Sequence, residues 1–578
     1  MLPLLDSPPI SIPALYGYSC FSYVPTPLTP ITGIFSVPAA TEQIWGWEEP
    51  GKLAAAITQR SLEWQELTPQ LQDEGRAIDQ LQTLLKDAVS RQIEDLGDDP
   101  VGVLLSGGLD SSIVAALLVQ AGLKVRAYTL DFGTVGVPEL PYAEQVAAHL
   151  QIPLTRVDIT PRRIRRSLLP TVRALDLPFG DGVTVPLFLL CQAASQETRV
   201  IFNGEGGDQL FAGWTNKPLI AAGIYETRQT AETSIEQQYL RTFHRLWGYE
   251  KVLFQPEIRT QIQHLNPQDW LQEALDPTFS TSLLHRLRRA NLMLKGAQNI
   301  HPRATALGLA HGLGVRSPFC DLPLAEWAFQ LAPSLHLQGS CEKYILKRAV
   351  EPWLPPEIVW RTKRGMGVPL TSWCLNGLWH ELGTWLNPGR LRQEGLWEPQ
   401  IATRIAAGEL GTLQGRRIGE SLWLLLLWQV WQQTLGETAP PSSLDHPFWL
   451  PPGWDNNICT TGKGAKNAEP PPHPPSPIPH PPSPHFPIPW RRNSSPLTVP
   501  PSTSTGAIAC AKPFVRSPMP SPIPVPSSTS PASLTAIFPY FASSGNQDGD
   551  STPTPLATFT WVSRQAFTPA RSSTAAAT

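Results

Sequence analysis

The stretch Val103-Leu104-Leu105-Ser106-Gly107-Gly108-Leu109-Asp110-Ser111-Ser112 decides the fold. An apolar strand enters a Ser-Gly-Gly turn. An acidic residue and two hydroxyls follow, and then the helical pattern Ile113-Val114-Ala115-Ala116-Leu117-Leu118. Strand, glycine turn and helix start together make an anion site. Glycines let backbone N–H groups approach a phosphate chain, and the helix N-terminus adds unpaired donors and partial positive charge. Ser106, Ser111 and Ser112 offer hydroxyl donors. Asp110 suits Mg²⁺, because hard cations take carboxylate oxygens. No lysine follows the glycines, so this is not the Gly-Lys-Ser/Thr loop that cradles phosphates in many nucleotide-binding proteins. The loop reads as a site for Mg²⁺ and pyrophosphate.

Strands and helices alternate outward from this loop. The spacing Ala77, Leu81, Leu84, Leu85, Ala88 predicts an amphipathic helix over 76–95. Strands are expected at 101–105, 125–130, 154–157 and 200–202, with helices at 110–121, 141–150 and 183–195. Such alternation implies an α/β fold with a doubly wound parallel sheet, whose ligands bind at the carboxyl ends of the strands. Residues 217–436 are mostly helical in pattern and are expected to wrap the sheet. The apolar run Leu422–Trp428 is too short to span a bilayer and reads as a buried helix.

Composition sets the outer limits. The 578 residues include 63 prolines, crowded toward the end in runs such as Pro470-Pro471-Pro472-His473-Pro474-Pro475. Residues 437–578 are too poor in apolar surface to offset chain entropy and are read as a disordered tail with polyproline character. Residues 1–35 are proline-rich and weakly patterned, short strands are expected within 36–66, and the folded part is read as about 35–436. The net charge of −3 argues against a nucleic-acid partner. The basic clusters Arg162–Arg166 and His285–Arg289 are expected to be solvated helix faces. Seven scattered cysteines without a Cys-x-x-Cys pair argue against a disulfide framework and a zinc ribbon, and fit a reducing cytoplasm. The N-terminus lacks the pattern of a signal peptide.

The fourth strand runs into a second glycine loop, Asn203-Gly204-Glu205-Gly206-Gly207-Asp208-Gln209-Leu210-Phe211-Ala212-Gly213. One of its carboxylates could complete the Mg²⁺ shell begun by Asp110. The other could move a proton near a reacting phosphate.

Several segments together carry a resemblance. Ser106–Ser112 is similar to the PP-loop of ATP pyrophosphatases of the adenine nucleotide alpha-hydrolase-like fold, which split ATP between the α- and β-phosphates. The two glycine loops together resemble the synthetase domain of the asparagine synthetase family. So do Leu175–Phe179 with Asp181, Val185-Pro186-Leu187, Gly314–Asp321, Lys343-Tyr344-Ile345-Leu346-Lys347, and Arg361–Pro369, over roughly residues 76–433. The resemblance implies a ligase that forms an acyl-AMP, β-aspartyl-AMP in the family, releases pyrophosphate, and lets ammonia or an amine displace AMP. It implies that Ser106, Gly107, Gly108, Asp110, Ser111 and Ser112 hold pyrophosphate and Mg²⁺. Leu105 and Leu130 would flank the adenine, and Asn203 and Gly204 would contact the nucleotide. Asp208 would be the second metal carboxylate, Glu205 the base toward the attacking nitrogen, and Lys363 the stabiliser of the α-phosphate. ATP and Mg²⁺ are the implied cofactors, and a small carboxylate such as aspartate the implied substrate.

The chain also departs from that pattern. Family members usually carry a glutaminase domain opened by a cysteine after Met1. Leu2 stands there in this sequence, and about 75 residues precede the helix leading to the first loop. Residues 1–75 are therefore read as an N-terminal segment, with 33–65 matching at most the last strands of such a domain. Nitrogen is expected from free ammonia, an amine, or a separate glutaminase. Gln209 replaces a family Glu, Gly314 replaces another, and the family's upstream acidic–basic pair falls near Thr305 and Ala306. Arg316 and Asp321 read equally as a buried ion pair or as substrate ligands. Two other readings are a nucleotide-binding scaffold with an inactive core and a proline-rich recruiting tail, and a tRNA-modifying PP-loop enzyme. The second is disfavoured by the missing reactive cysteines and basic face.

Overall fold

A computed structural model describes residues 9–38, 70–135, 139–213, 234–243, 245–362, 365–411 and 413–436. It also describes the backbone of short strands between 41 and 60, and of Phe559–Trp561. All of these belong to one unit of the chain, residues 1–454 with 534–578; the other unit, 455–533, holds no described residue. The expected disordered tail lies outside the described residues, apart from Phe559–Trp561, which pairs with the strand Thr41–Trp45.

Five strands pair in parallel: β1 (Val101–Leu104), β2 (Val125–Asp131), β3 (Leu154–Asp158), β4 (Val200–Phe202) and β5 (Gly314–Arg316), in the order β3-β2-β1-β4-β5. The chain leaves β1 toward β2 on one side and later returns to its other side as β4. That reversal makes a crevice at the carboxyl ends of β1 and β4, where ligands of such sheets bind. Successive residues face opposite layers. Ala127 and Phe202 join the core cluster containing Val101 and Val103, while Tyr128 and Ile201 join the other. Both faces are thus covered, and the fold is a doubly wound α/β sheet.

The helices follow in chain order: α1 (Ile12–Phe21), α2 (Glu74–Ile93), α3 (Leu109–Gln120), α4 (Leu140–Leu150), α5 (Pro161–Arg173), α6 (Thr184–Ala194), α7 (Gly207–Leu210), α8 (Leu283–Ala290), α9 (His301–Leu309), α10 (Tyr344–Val350) and α11 (Arg416–Gly436). On one face α2, α3 and α4 cover the sheet; on the other, α5, α6 and α11 do so. The run Leu422–Trp428 is buried in α11, as its pattern suggests. Among the described residues no helix is long and apolar enough to cross a membrane.

Three differences from the sequence reading stand out. Residues 9–38 are folded, whereas the folded part was expected to start at about 35. Ser11 caps α1, whose residues Ala14–Phe21 are all buried, and the Tyr18 hydroxyl donates to Leu424 O in α11 (2.8 Å). A helix apolar on every side shows no amphipathic period and fits only in a core. Second, β5 was hidden in a region of helical pattern, because Gly-Val-Arg is too short to show one. Third, the two basic clusters diverge. Arg162, Arg165 and Arg166 are exposed on α5, whereas His285 and Arg288 are buried on α8. The described cysteines, Cys20, Cys191, Cys320, Cys341 and Cys374, form no disulfides.

Candidate active site

The first loop folds on itself. Gly107 takes φ +70°, and a Cβ there would strike Tyr142 and the Ala143 backbone. Gly108 sits at the N-cap of α3 without a side-chain cap. Its N–H donates to Ser106 Oγ (3.3 Å), and its carbonyl accepts from the hydroxyls of Ser111 (3.2 Å) and Ser112 (2.7 Å). Ser106, Gly108, Asp110 and Ser111 line one cleft with Leu105 and Leu130. Tyr128, Thr129 and Phe132 extend its apolar end.

The second loop presses against the first. A Cβ on Gly204 would lie 2.6 Å from Ser111 N, and one on Gly207 would lie 2.5 Å from Asp110 Oδ1. Both glycines are required by this approach, and Gly206, at φ +101°, by its backbone. Asn203 is buried; its Oδ1 accepts from Glu205 N (3.0 Å) and the Ser317 hydroxyl (2.7 Å), so it fixes the loop's turn. Its Nδ2 is buried without a hydrogen-bond partner. Asn203, Gly204, Glu205 and Asp208 all line the same cleft.

Asp110 and Asp208 converge on one point. Lys343 Nζ lies 2.6 and 2.5 Å from the two Asp110 carboxylate oxygens and 2.5 Å from Asp208 Oδ1. The lysine side chain is 2% exposed. This ammonium marks a position that carboxylate oxygens from both loops reach together, as a hard divalent cation requires. Asp110 and Asp208 are the two residues that would hold a hard cation such as Mg²⁺ at this point. Lys343 itself has φ 55°, a backbone rare for lysine, and its side chain passes where a Cβ on Gly213 would be. Lys343 belongs to the family-like segment Lys343–Lys347, but its place between the carboxylates has no local signature.

The far end of the cleft is built on an interrupted helix. Between α8 and α9, residues Asn291–Ile300 form a π-helical segment, a device frequent at functional sites. Lys295, Ile300 and Arg303 line the cleft there, opposite Asp181, Val183 and Leu187. Arg303 is 4% exposed; its Nη1 donates to Asn299 Oδ1 (3.0 Å) and lies 3.4 Å from Asp181 Oδ2. Its Nε is buried without a partner, as is Gln209 Oε1. Burial alone would raise the Asp181 carboxyl, but Arg303, Lys295 and Arg245 together hold it well below the usual carboxylate range. Burial lowers the Lys295 ammonium, opposed by Asp181. The sequence reading places the acidic–basic pair near Thr305 and Ala306. The structure instead brings Arg303, two residues before Thr305, into the cleft.

Other expected residues lie elsewhere. Ser112 is fully buried beneath the loop, and neither it nor Gly107 lines the cleft. Lys363 lies outside the described residues. Arg316 and Asp321 are not paired with each other. Arg316 binds Asp95 (2.6 Å) and Gln92 O, and Asp321 binds Arg91 (2.6 Å), so both tie the β5 region to α2 and the residues after it. Cys320 Sγ lies 3.2 Å from His301 Nε2, yet burial raises the thiol and pushes the imidazole down to about 4, which opposes a thiolate–imidazolium pair. Arg361, stacked 3.5 Å over the Tyr142 ring, donates to Gly107 O and lines the cleft beside the first loop.

Known proteins offer independent comparison. The family model described as asparagine synthase matches residues 80–433. Asparagine synthetase [glutamine-hydrolyzing] 1 of Bacillus subtilis is 23% identical over 465 residues, covering 75% of this chain and 70% of that protein. Human asparagine synthetase [glutamine-hydrolyzing] is 24% identical over 303 residues, 50% of this chain and 43% of that protein. Among solved structures, the NH3-dependent NAD synthetase of Campylobacter jejuni is 14% identical, with a TM-score of 0.20, covering 38% of this chain and 96% of that one.

Proposed function

The chain belongs to the asparagine synthase family, and from that premise we propose that it is an ATP-dependent amide ligase that activates a small carboxylate, aspartate first among them, as its acyl-AMP. The observation that carries this reading is the meeting of the two glycine loops in one cleft, with Asp110, Asp208 and Glu205 facing a phosphate-type turn. Carboxylate attack on ATP joins two anions, so the site must supply positive charge and N–H donors ahead of the reaction. Ser106, Gly108 and Ser111 hold the departing pyrophosphate. Asp110 and Asp208 would hold Mg²⁺, which would supply Lewis-acid charge to the phosphates. Leu105 and Leu130 pack the adenine, and Asn203 and Gly204 position the nucleotide between the loops.

Arg303 and Lys295 suit a second anionic group of the substrate, with the buried Arg303 Nε as a ready donor. A carboxylate oxygen bonds to the α-phosphorus as the bond to the β-phosphate oxygen breaks and pyrophosphate leaves. The nitrogen then attacks the acyl carbon, AMP departs with that oxygen, and Glu205 takes the proton released. Lys363 stabilises charge on the α-phosphate. The nitrogen source is free ammonia, an amine, or ammonia from a separate glutaminase.

The test is carboxylate-dependent exchange of labelled pyrophosphate into ATP. Aspartate should support exchange without ammonia, and Asp110→Ala should abolish it. Absence of exchange with every carboxylate offered would contradict the proposal.

A further inference from the structure

Lys343 poses a problem of charge. Asp110, Asp208 and Lys343 by themselves make a centre of −1, with Lys295 also acting on Asp208, inside a site where Lys343 is 2% exposed. Adding a divalent cation while keeping the lysine would make it +1 in a poorly solvated space, a costly state without further anions. Sterics agree with charge. Nζ occupies the point within 2.5–2.6 Å of three carboxylate oxygens, so lysine and metal cannot share it.

The ammonium has another destination. Lys343 precedes α10 and lines the cleft with Ser106, Gly108 and Ser111, the turn that faces phosphate oxygens. Asp110, which it now grips, lies in the first turn of α3 directly after that loop. A polyphosphate on the loop would offer anionic oxygens to the same flexible side chain.

We propose that Lys343 is a resident counter-ion of the metal carboxylates, so that a divalent cation binds well only together with a polyphosphate that takes the ammonium over. Lys343 keeps Asp110 and Asp208 poised and offsets half of their charge before nucleotide arrives. It yields their oxygens when nucleotide arrives and then faces the phosphates. The inference rests on the assignment of Asp110 and Asp208 as metal ligands, and it makes Lys343 a positioning residue of that site.

The test needs no turnover. Mn²⁺ binding is followed by electron paramagnetic resonance on the full chain, with and without the non-cleavable α,β-methylene-ATP. Wild-type protein should bind Mn²⁺ weakly alone and at least about ten-fold more tightly with the analogue. Lys343→Met and Lys343→Gln, checked for folding by circular dichroism, should bind Mn²⁺ alone roughly ten-fold more tightly than wild type and lose most of the nucleotide coupling. A merely structural lysine would give the opposite sign, since its loss would weaken the site. Equal Mn²⁺ affinity in wild type and in either folded variant, or equal wild-type affinity with and without the analogue, would overturn the inference. A wild type that binds no Mn²⁺ even with the analogue would overturn the metal assignment beneath it. Should both variants fail to fold, tight binding of Mn²⁺ by wild type without the analogue would by itself overturn the inference.

Discussion

Gly204 has no side chain because Asp110 and Ser111 leave it no room, and the contact between the two loops depends on that absence. Gly204→Ala should push the loops apart at the point where nucleotide binds. We expect a loss of about 1–3 kcal/mol in stability by urea titration, and ATP affinity reduced well beyond it. Glu205 separates two half-reactions. Glu205→Gln should keep aspartate-dependent pyrophosphate exchange while amide formation falls by roughly 10²–10⁴-fold, because only the nitrogen's attack needs the base. Equal loss of both half-reactions would assign Glu205 to the nucleotide instead. Much of the cleft was legible residue by residue, since Ser106, Asp110, Glu205 and Asp208 sit in glycine-rich strand ends and all line it. Lys343 did not, because its meaning lies in partners far off in the chain; Asp110 is 233 residues away. Ser112 misled for a related reason, as a hydroxyl in a phosphate-type loop can as well serve the loop's own carbonyl.

At the scale of elements, the second loop is anchored from behind. Arg288, 1% exposed on α8, donates from Nε to Leu210 O at the end of α7 (2.7 Å) and from Nη2 to Ala328 O (3.0 Å). Burial pushes its guanidinium down to about 9. Arg288→Met would leave two buried carbonyls without those donors, for a loss of about 2–5 kcal/mol in urea unfolding. Around it, burial pushes His285 down to about 3 and His336 well below its ordinary value, while His301 is pushed down to about 4. A histidine with a lowered folded value binds its proton more readily when unfolded. Its contribution is therefore whole above about pH 6.5 and is lost as pH falls toward those values, at roughly 1.4 kcal/mol per pH unit per histidine. The urea midpoint should drop steeply between pH 6.5 and about 4, and His285→Gln should flatten that slope. A pH-independent midpoint would contradict this account. Periodicity could not reveal these elements fully. The π-helical segment shifts its own register, β5 is three residues long, and α1 is apolar on all sides.

At the scale of the whole molecule, the sheet order places both loops at the point where the chain reverses direction across the sheet, and this part was readable from alternating strands and helices. What wraps the sheet was not. The long-range packing of α1 against α11, through Tyr18 and Leu424, joins residues 406 apart. No residue of 437–578 lines the cleft among the described residues. A chain ending after Gly436 should retain turnover. One ending before Arg416 should fail to fold, because it loses Trp423, Trp428 and Trp431, each at most 1% exposed. Protease resistance and turnover of the two truncations check this.

If ATP places AMP on a carboxylate, one carboxylate oxygen must leave with the AMP. Aspartate labelled with ¹⁸O in its side-chain carboxylate is incubated with ATP and ammonia, and the nucleotide products are weighed by mass spectrometry. The account predicts AMP carrying a single ¹⁸O atom. Unlabelled AMP, or label found in inorganic phosphate beside ADP, would contradict it.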